Sequence, residues 1–310
     1  MSLRSPTRPP WLVAAVVAVA AFLGGCVTNV EGGHPDGWEP ITPAPVAEVQ
    51  ALVPPEIAKR GTISIGTNPP FAPAEFKDSH GEIIGFDIDL ARAAASVMGL
   101  ELEVKDQDFS LILPAVSAGT VDFGASGFTD TEERRKNYDF VNYLNAGIQW
   151  AARPGVSIDP DDACGRVVAV QRTTVSDTDD VTGRSEACVA AGKEPIEKLA
   201  YDASDAAATS AILGRADAFS ADSPVAAWAV ARSDGRLELI GEIFDAAQYG
   251  WPVKKDSELG PALAAALQYL IESGEYDRIL NQWGLEDGLV EHAMINGEPV
   301  AGSKPGKDKS

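Results

Sequence analysis

Three histidines and three cysteines are the side chains best suited to acid–base, metal or nucleophilic chemistry, and their placement in this 310-residue chain excludes most of it. His34 lies in a Pro-rich stretch, His80 in a Ser-His-Gly turn and His292 close to the C-terminus. None stands where a general base or a metal ligand is expected. Cys26, Cys164 and Cys188 are too dispersed for a zinc-type cluster, so no metal or other cofactor is expected. The two commonest phosphate-cradling strings, G-x-x-x-x-G-K-[ST] and G-x-G-x-x-G, do not occur. On spacing alone Arg134, at the end of Thr131-Glu-Glu-Arg134, reads as a solvated helix face, and Asp222 as the cap of a helix over 223–232. With 46 Asp+Glu against 25 Lys+Arg the formal charge is −21, which argues against a nucleic-acid partner because phosphate contacts need clustered cations. A hydrophobic share of 45% with 23% charged residues is that of a folded globular chain. The remaining reading is an acidic protein with a small ligand.

The ends carry an address. Arg4 and Arg8 precede the uncharged run Trp11–Leu23, too short to span a ~30 Å hydrocarbon layer but suited to a signal-peptide core. Leu23-Gly-Gly-Cys26 follows and resembles the bacterial lipobox, so 1–25 is expected as a lipoprotein signal peptide and Cys26 as the lipidated first residue. An extracytoplasmic protein, anchored to the cell membrane through that lipid, is implied. Prolines 35, 40, 43, 45, 54 and 55, with no Lys or Arg from Val27 to Glu56, predict an extended acidic tether over 26–58. Residues 291–310 predict a flexible tail. With Cys26 lipidated, Cys164 and Cys188 remain as an even pair outside the cytoplasm, and a disulfide is expected.

Between the ends, strands and helices alternate. Gly61–Gly66 alternates apolar and polar residues as a strand, Asp87 is placed to cap a helix carrying Leu90, Ala91, Ala94 and Val97, and Leu102 and Val104 form the next strand. A helix over 112–118 and strands at 121–124, 167–170 and 217–220 continue the pattern, which argues for α/β architecture with largely parallel sheets. Leu263, Leu267, Leu270 and Ile271, then Tyr276, Ile279, Leu280 and Trp283, mark two amphipathic helices joined at Gly274.

Several strings follow in order along this part of the chain: Gly66-Thr-Asn-Pro-Pro-Phe71 with Glu75-Phe76, Gly85-Phe-Asp-Ile-Asp-Leu90, Asp108-Phe-Ser110 with Ile112-Leu-Pro114, Val121-Asp122, Gly127-Phe-Thr-Asp-Thr-Glu-Glu-Arg134 and Asp139-Phe140. Val168-Ala-Val-Gln171, Ala216-Asp-Ala218 with Asp222, Gln248-Tyr-Gly250, Ser273-Gly-Glu-Tyr-Asp277 and Trp283-Gly284 complete the set, which covers about 60–285. Together they resemble the extracellular solute-binding proteins of polar amino-acid ABC importers. The resemblance implies a two-lobed periplasmic-binding-protein (Venus flytrap) fold with two hinge crossings near Gln149–Arg153 and Ala247–Val253. Lobe 1 is expected from 59–151 and 248–290, and lobe 2 from 152–247.

The same resemblance assigns a site. A free amino acid carries two opposite charges that both leave water on enclosure, so a fixed cation and a fixed anion are needed. Arg134 corresponds to the carboxylate clamp, and Asp222 to the ammonium partner, aided by the Gly127 carbonyl and the Thr129 hydroxyl. Phe71 and Phe109 correspond to aromatic walls. Asn68 stands at a position where relatives that take cationic amino acids commonly carry Asp, and Gln171, Thr174 and Val175 belong to a loop that reaches the ligand. Thr173 replaces the usual Gly there, at a position suited to φ > 0. Asn68 and Gln171 favour a neutral polar or acidic ligand such as Gln, Asn or Glu. The partners implied are a free amino acid, an ABC permease and its ATPase, with the protein a monomer and not an enzyme. Two alternatives share the fold: a sensor lobe serving a partner kinase, and a cyclohexadienyl or arogenate dehydratase.

Overall fold

The structure, a computed structural model, describes residues 33–300. The signal peptide and Cys26 lie outside the described residues. The strand β1 (Thr62–Thr67) pairs in parallel with β4 (Glu101–Asp106) and β5 (Phe123–Gly124), and Ile63 and Ile65 are fully buried. A short hairpin, β2 (Phe76–Lys77) and β3 (Ile83–Ile84), leads into the helix α3 (Phe86–Val97), which follows α1 (Ala47–Gln50) and α2 (Pro55–Arg60) in the chain. α3 buries Leu90, Ala91, Ala94 and Val97, the face expected from their spacing. α4 (Phe109–Ala118) and the short α5 (Glu132–Arg135) lead to β6 (Tyr138–Ala152).

The second set of strands repeats the pattern. β7 (Val167–Gln171) pairs in parallel with β8 (Glu197–Tyr201) and β9 (Ala218–Asp222), with α6 (Thr182–Ala190), α7 (Ser204–Ile212) and α8 (Ser223–Ala231) in the connections. β10 (Glu238–Lys254) then runs antiparallel to β6 along most of its length. β6 and β10 therefore serve both sets: Phe140–Ala146 faces the end of β10 beside β5, while Ile148–Ala152 pairs with β9 and with the start of β10. Their ladder is irregular between Ile240, Phe244 and Ala247 and again at Tyr249/Gly250. Gly147 lies at this break, where a Cβ would stand 2.8 Å from the Phe244 carbonyl oxygen, so no larger residue fits. The irregular stretch, rather than the whole of 149–153, is where the paired strands are least regular; β6 is unbroken through Ala152. The result is an α/β protein of two lobes sharing two long strands, as expected. Helices α9 (Leu259–Ser273) and α10 (Glu275–Gln282) return to pack on α3, and Leu263, Leu267, Leu270, Tyr276, Ile279 and Leu280 are buried.

Both ends differ from expectation. From His34 onward the stretch read as a tether is docked. The His34 ring stacks on Trp38 at 3.5 Å, Trp38 Nε1 donates to Asp89 (2.7 Å), Val46 N donates to the Val97 carbonyl (2.9 Å), and Val49 and Val53 are buried. Sparse apolar residues suffice because Asp89 and the end of α3 supply polar partners for them. The tail is also folded as far as Val300: Met294–Ile295 (β11) pairs with β6 and with Glu298–Pro299 (β12), and Ala293 is fully buried. Cys164 and Cys188 form the expected disulfide, closing a separation of 24 residues. On the chain-entropy model such a loop contributes ~3 kcal/mol. None of the described helices is long and apolar enough to cross a membrane.

Candidate functional site

The two lobes meet where the C-terminal ends of their parallel strands open into loops, the usual place for a ligand in an α/β sheet. On the second lobe, Gln171 ends β7 and is 3% exposed, while its neighbour Arg172 points outward to Asp202 (2.5 Å). The alternation of side chains along a strand forces that opposition. Thr173 adopts φ 63°, the left-handed conformation its glycine-like position called for. Its strain, about 1–3 kcal/mol for a non-glycine residue, is offset by an N–H bond to Asp177 Oδ2 (2.8 Å). Thr174 is buried and its hydroxyl donates to the Gln171 carbonyl (2.8 Å), so the turn is fixed internally. Val175 packs into the core of the second lobe with Val168, Val170 and Val181, not against the crevice. The chain then turns into a π-helical segment at Ser176.

On the first lobe, Gly127 has φ 55°, and a Cβ there would lie 2.7 Å from the Phe71 ring. Both the conformation and the approach of Phe71 require glycine. Thr131 caps α5, accepting from Arg134 N (3.3 Å), while Asp130 instead pairs with Arg135 (2.6 Å) and accepts from Asn142 (2.8 Å). The Arg134 side chain reaches both lobes. Its Nη1 donates to the Thr129 carbonyl (2.7 Å) and its Nη2 reaches the Thr173 carbonyl of the other lobe (3.2 Å). Phe109 stacks on Phe128 at 4.5 Å, and the guanidinium lies 5.5 Å from the Phe128 centroid and 6.0 Å from that of Phe109. Burial lowers the Arg134 pKa from its ordinary value, and Asp222, Asp179 and Asp130 oppose that shift. Asn68 is buried and accepts from Gln171 Nε2 across the lobes (2.8 Å).

Asp222 ends β9 and precedes α8, yet its side chain makes no capping bond. It accepts from Tyr249 Oη instead (2.7 Å), a residue on the shared strand β10. Burial pushes the Asp222 carboxyl up to about 6, against the Tyr249 hydrogen bond and the Arg134 charge. Asp222, Phe71, Gln171 and Thr174 line one crevice with Ser176, Ser204, Ser220 and Ala221. Of the expected set, then, Arg134, Asp222, Thr129, Gly127, Phe71, Asn68, Gln171 and Thr174 converge at the meeting of the lobes, and Phe109 joins them through Phe128.

Two further residues matter beneath this surface. Asp87, expected as a helix cap, is fully buried and accepts from Gly127 N (3.0 Å), Tyr143 Oη (2.7 Å) and Trp251 Nε1 (2.7 Å). Burial raises its pKa to about 6 in spite of those three donors. Glu75 is equally buried, accepts from Ser126 Oγ, and is raised well above the carboxylate range by burial and by the nearby Asp87. Neither role could be seen from spacing. Their sequence signal was membership of the motif strings Glu75-Phe76 and Gly85-Phe-Asp-Ile-Asp-Leu90, which carries no role by itself.

Residues 63–286 match the model of the bacterial extracellular solute-binding proteins, family 3. The chain belongs to that family. Among relatives of this family-3 protein, the arginine-binding protein ArgT of Corynebacterium glutamicum is 56% identical over 303 residues, covering 96% of this chain and all of that one. An L-arginine-binding protein of Pseudomonas aeruginosa is 28% identical over 246 residues, covering 74% and 90%. Among solved structures, an ancestral arginine-binding protein bound to arginine superposes with a TM-score of 0.66 at 34% identity, covering 72% of this family-3 chain and 98% of that one. The lobes described above are thus those of a solute-binding protein.

Proposed function

We propose that this chain captures L-arginine between its lobes and hands it to an ABC import permease, held at the membrane by lipid on Cys26. The observation that carries the reading is the convergence of one guanidinium, Arg134, and one buried carboxylate, Asp222, from opposite lobes. Together they match the two charges of an amino-acid main chain. Arg134, helped by the Thr129 region, takes the carboxylate. Asp222, the Gly127 carbonyl and the Thr129 hydroxyl take the ammonium, and Phe71 and Phe109 flank the stem. The ligand first meets lobe 1 (59–151 and 248–290). Closure over the shared strands then brings lobe 2 (152–247) onto it and excludes water, so that binding shifts the population toward the closed form.

Arginine replaces the Gln, Asn or Glu preference expected from Asn68 and Gln171. The arginine-binding relative at 56% identity over nearly the whole chain supports the change. So does elementary chemistry: an amide oxygen accepts from a guanidinium N–H as readily as from an amide, and the chain's charge of −21 favours a cation. A thermal-shift screen of the twenty amino acids tests this. Arginine at 100-fold its Kd should add about 2.7 kcal/mol of stability. A shift with glutamine and none with arginine would overturn the assignment.

Affinity should also fall in acid. The ammonium pairs with the ionised Asp222, whose carboxyl titrates near 6 in the ligand-free protein. Below that pH the native state must lose a proton to bind, so affinity drops by up to about tenfold per pH unit. Calorimetric titrations between pH 7.5 and 5 should show this slope, and Asp222→Asn should flatten it while weakening binding throughout. An unchanged slope in the variant would assign the effect elsewhere.

A further inference from the structure

Asp222 stands in extended backbone conformation just before α8, the place of a helix cap, and yet makes no capping bond. Two features turn it away. Pro224, in the first turn of α8, has no N–H and removes one of the two main-chain donors that a cap takes. The Tyr249 hydroxyl supplies a donor in another direction, 2.7 Å from Asp222 Oδ2. Tyr249 is itself held firmly. It is 1% exposed, and its main chain forms a bridge with Thr129. On either side the Gln248 carbonyl accepts from Asp130 N and Gly250 N donates to the Phe128 carbonyl, both at 2.9 Å. A Cβ on Gly127 would stand 3.3 Å from Tyr249 Cε2, and the Tyr143 ring lies 6.3 Å away. The phenol is thus built into the segment that carries Gly127 and Thr129, and its hydroxyl crosses to the strand end of the other lobe.

We infer that Tyr249 is a positioning residue of the site: its hydroxyl holds Asp222 Oδ2 away from α8, so that the carboxylate lines the crevice and offers its other oxygen to the ligand ammonium. This rests on the reading of Asp222 as the ammonium partner and goes further, naming what aims it. A carboxylate held by a fixed donor has little freedom left to lose when the guest arrives. A hydrogen bond to the ionised form also favours that form. The charged and titratable groups around the pair are Arg134, which faces Asp222, and Glu75 and Asp87, which lie beneath Tyr249. Burial lifts the Asp222 carboxyl to about 6, and the Tyr249 bond and the Arg134 charge oppose the rise. Burial and the Asp222 charge hold the phenol well above its ordinary range, so it stays a donor at every pH where the protein binds. Without the hydroxyl the carboxyl rises further, and the loss of affinity in acid begins at a higher pH.

Tyr249→Phe keeps the buried ring and removes only the hydroxyl, which makes it the test. Isothermal titrations of the full chain in detergent with L-arginine should show binding about 10-fold weaker at pH 7.5. Between pH 5 and 8 the point at which affinity starts to fall should move up by about one pH unit. In an Asp222→Ala background, followed by NMR titration, adding Tyr249→Phe should change affinity by no more than about twofold. A Tyr249→Phe protein with wild-type affinity and an unmoved pH profile overturns the proposal. So does weaker binding with an unmoved profile, or an equal loss in the Asp222→Ala background, since either marks the hydroxyl as packing that does not act through the carboxylate. Asp222→Ala protein that binds as tightly as wild type removes the ammonium partner itself, a separate result that also ends the role of Tyr249. Parallel titrations with L-glutamine keep the test in force if arginine is not the guest, because both carry the same ammonium.

Discussion

Arg134→Ala should lower arginine affinity by at least about 100-fold, near 3 kcal/mol, because it leaves the ligand carboxylate without a counter-ion inside a desolvated cleft. The guanidinium already bridges the lobes, donating to the Thr129 carbonyl on one side and the Thr173 carbonyl on the other. Its removal therefore also takes away a closing contact. Arg134→Lys should recover little of the loss: an ammonium on a flexible stem cannot reproduce the planar fork over Phe128 and Phe109. The variant should remain folded, since Arg134 is half-buried and the cap of α5 comes from the Thr131 hydroxyl. Isothermal titration with arginine and an unfolding curve without ligand separate the two effects. Undiminished binding by Arg134→Ala would remove the basis of the proposed site.

Asp87→Ala should damage both stability and binding, although Asp87 touches neither lobe's surface at the crevice. Its carboxylate accepts from Gly127 N, Tyr143 Oη and Trp251 Nε1, and alanine would leave three buried donors without a partner. At about 1–3 kcal/mol for each buried group left unsatisfied, less what is regained by relieving the buried charge beside Glu75, a net loss of about 3 kcal/mol is expected. Gly127 would lose the bond that sets its φ of 55°, and with it the direction of the carbonyl proposed to meet the ligand ammonium. Arginine affinity should fall along with stability. Asp87→Asn, which keeps an acceptor oxygen but turns an amide NH2 toward one donor, should cost less on both counts. Asp89→Ala is the matched control. One Asp89 oxygen accepts from both Trp38 and Trp283 (2.7 and 3.0 Å), so its removal should loosen the N-terminal segment and spare ligand affinity. Denaturant titrations with and without arginine report on all three, and an Asp87→Ala protein as stable and as tight-binding as wild type would refute the role.

Much of this molecule was legible before any coordinates. The Leu263–Ile271 and Tyr276–Trp283 stripes fell on the buried faces of α9 and α10, because helical spacing is a local property that burial merely reads out. The α/β alternation, the Cys164–Cys188 bond and the opposition of Gln171 to Arg172 followed likewise from local period and cysteine count. The ordered motif set carried the family, and pointed to Arg134 and Asp222, which the fold brings to the meeting of the lobes. The ligand was less legible. Asn68 and Gln171 are two neutral side chains whose types alone point to a polar guest, whereas in the structure they are bound to each other across the lobes.

Composition misled where it stood in for contact. Six prolines and few apolar residues described an extended tether, yet Trp38 and Val46 bond to α3, Val49 and Val53 are buried, and the segment docks from His34 onward. Asp87 looked like a helix cap because caps are local, but its partners lie 40, 56 and 164 residues away. Asp222 is held by Tyr249, 27 residues on, and not by the helix it precedes. The order of residues by itself determined which charges and rings were available and which local elements would carry them. Only the tertiary structure decided which buried oxygen faces which donor, because a hydrogen bond between distant segments leaves no period, cap or composition in the sequence that spans it.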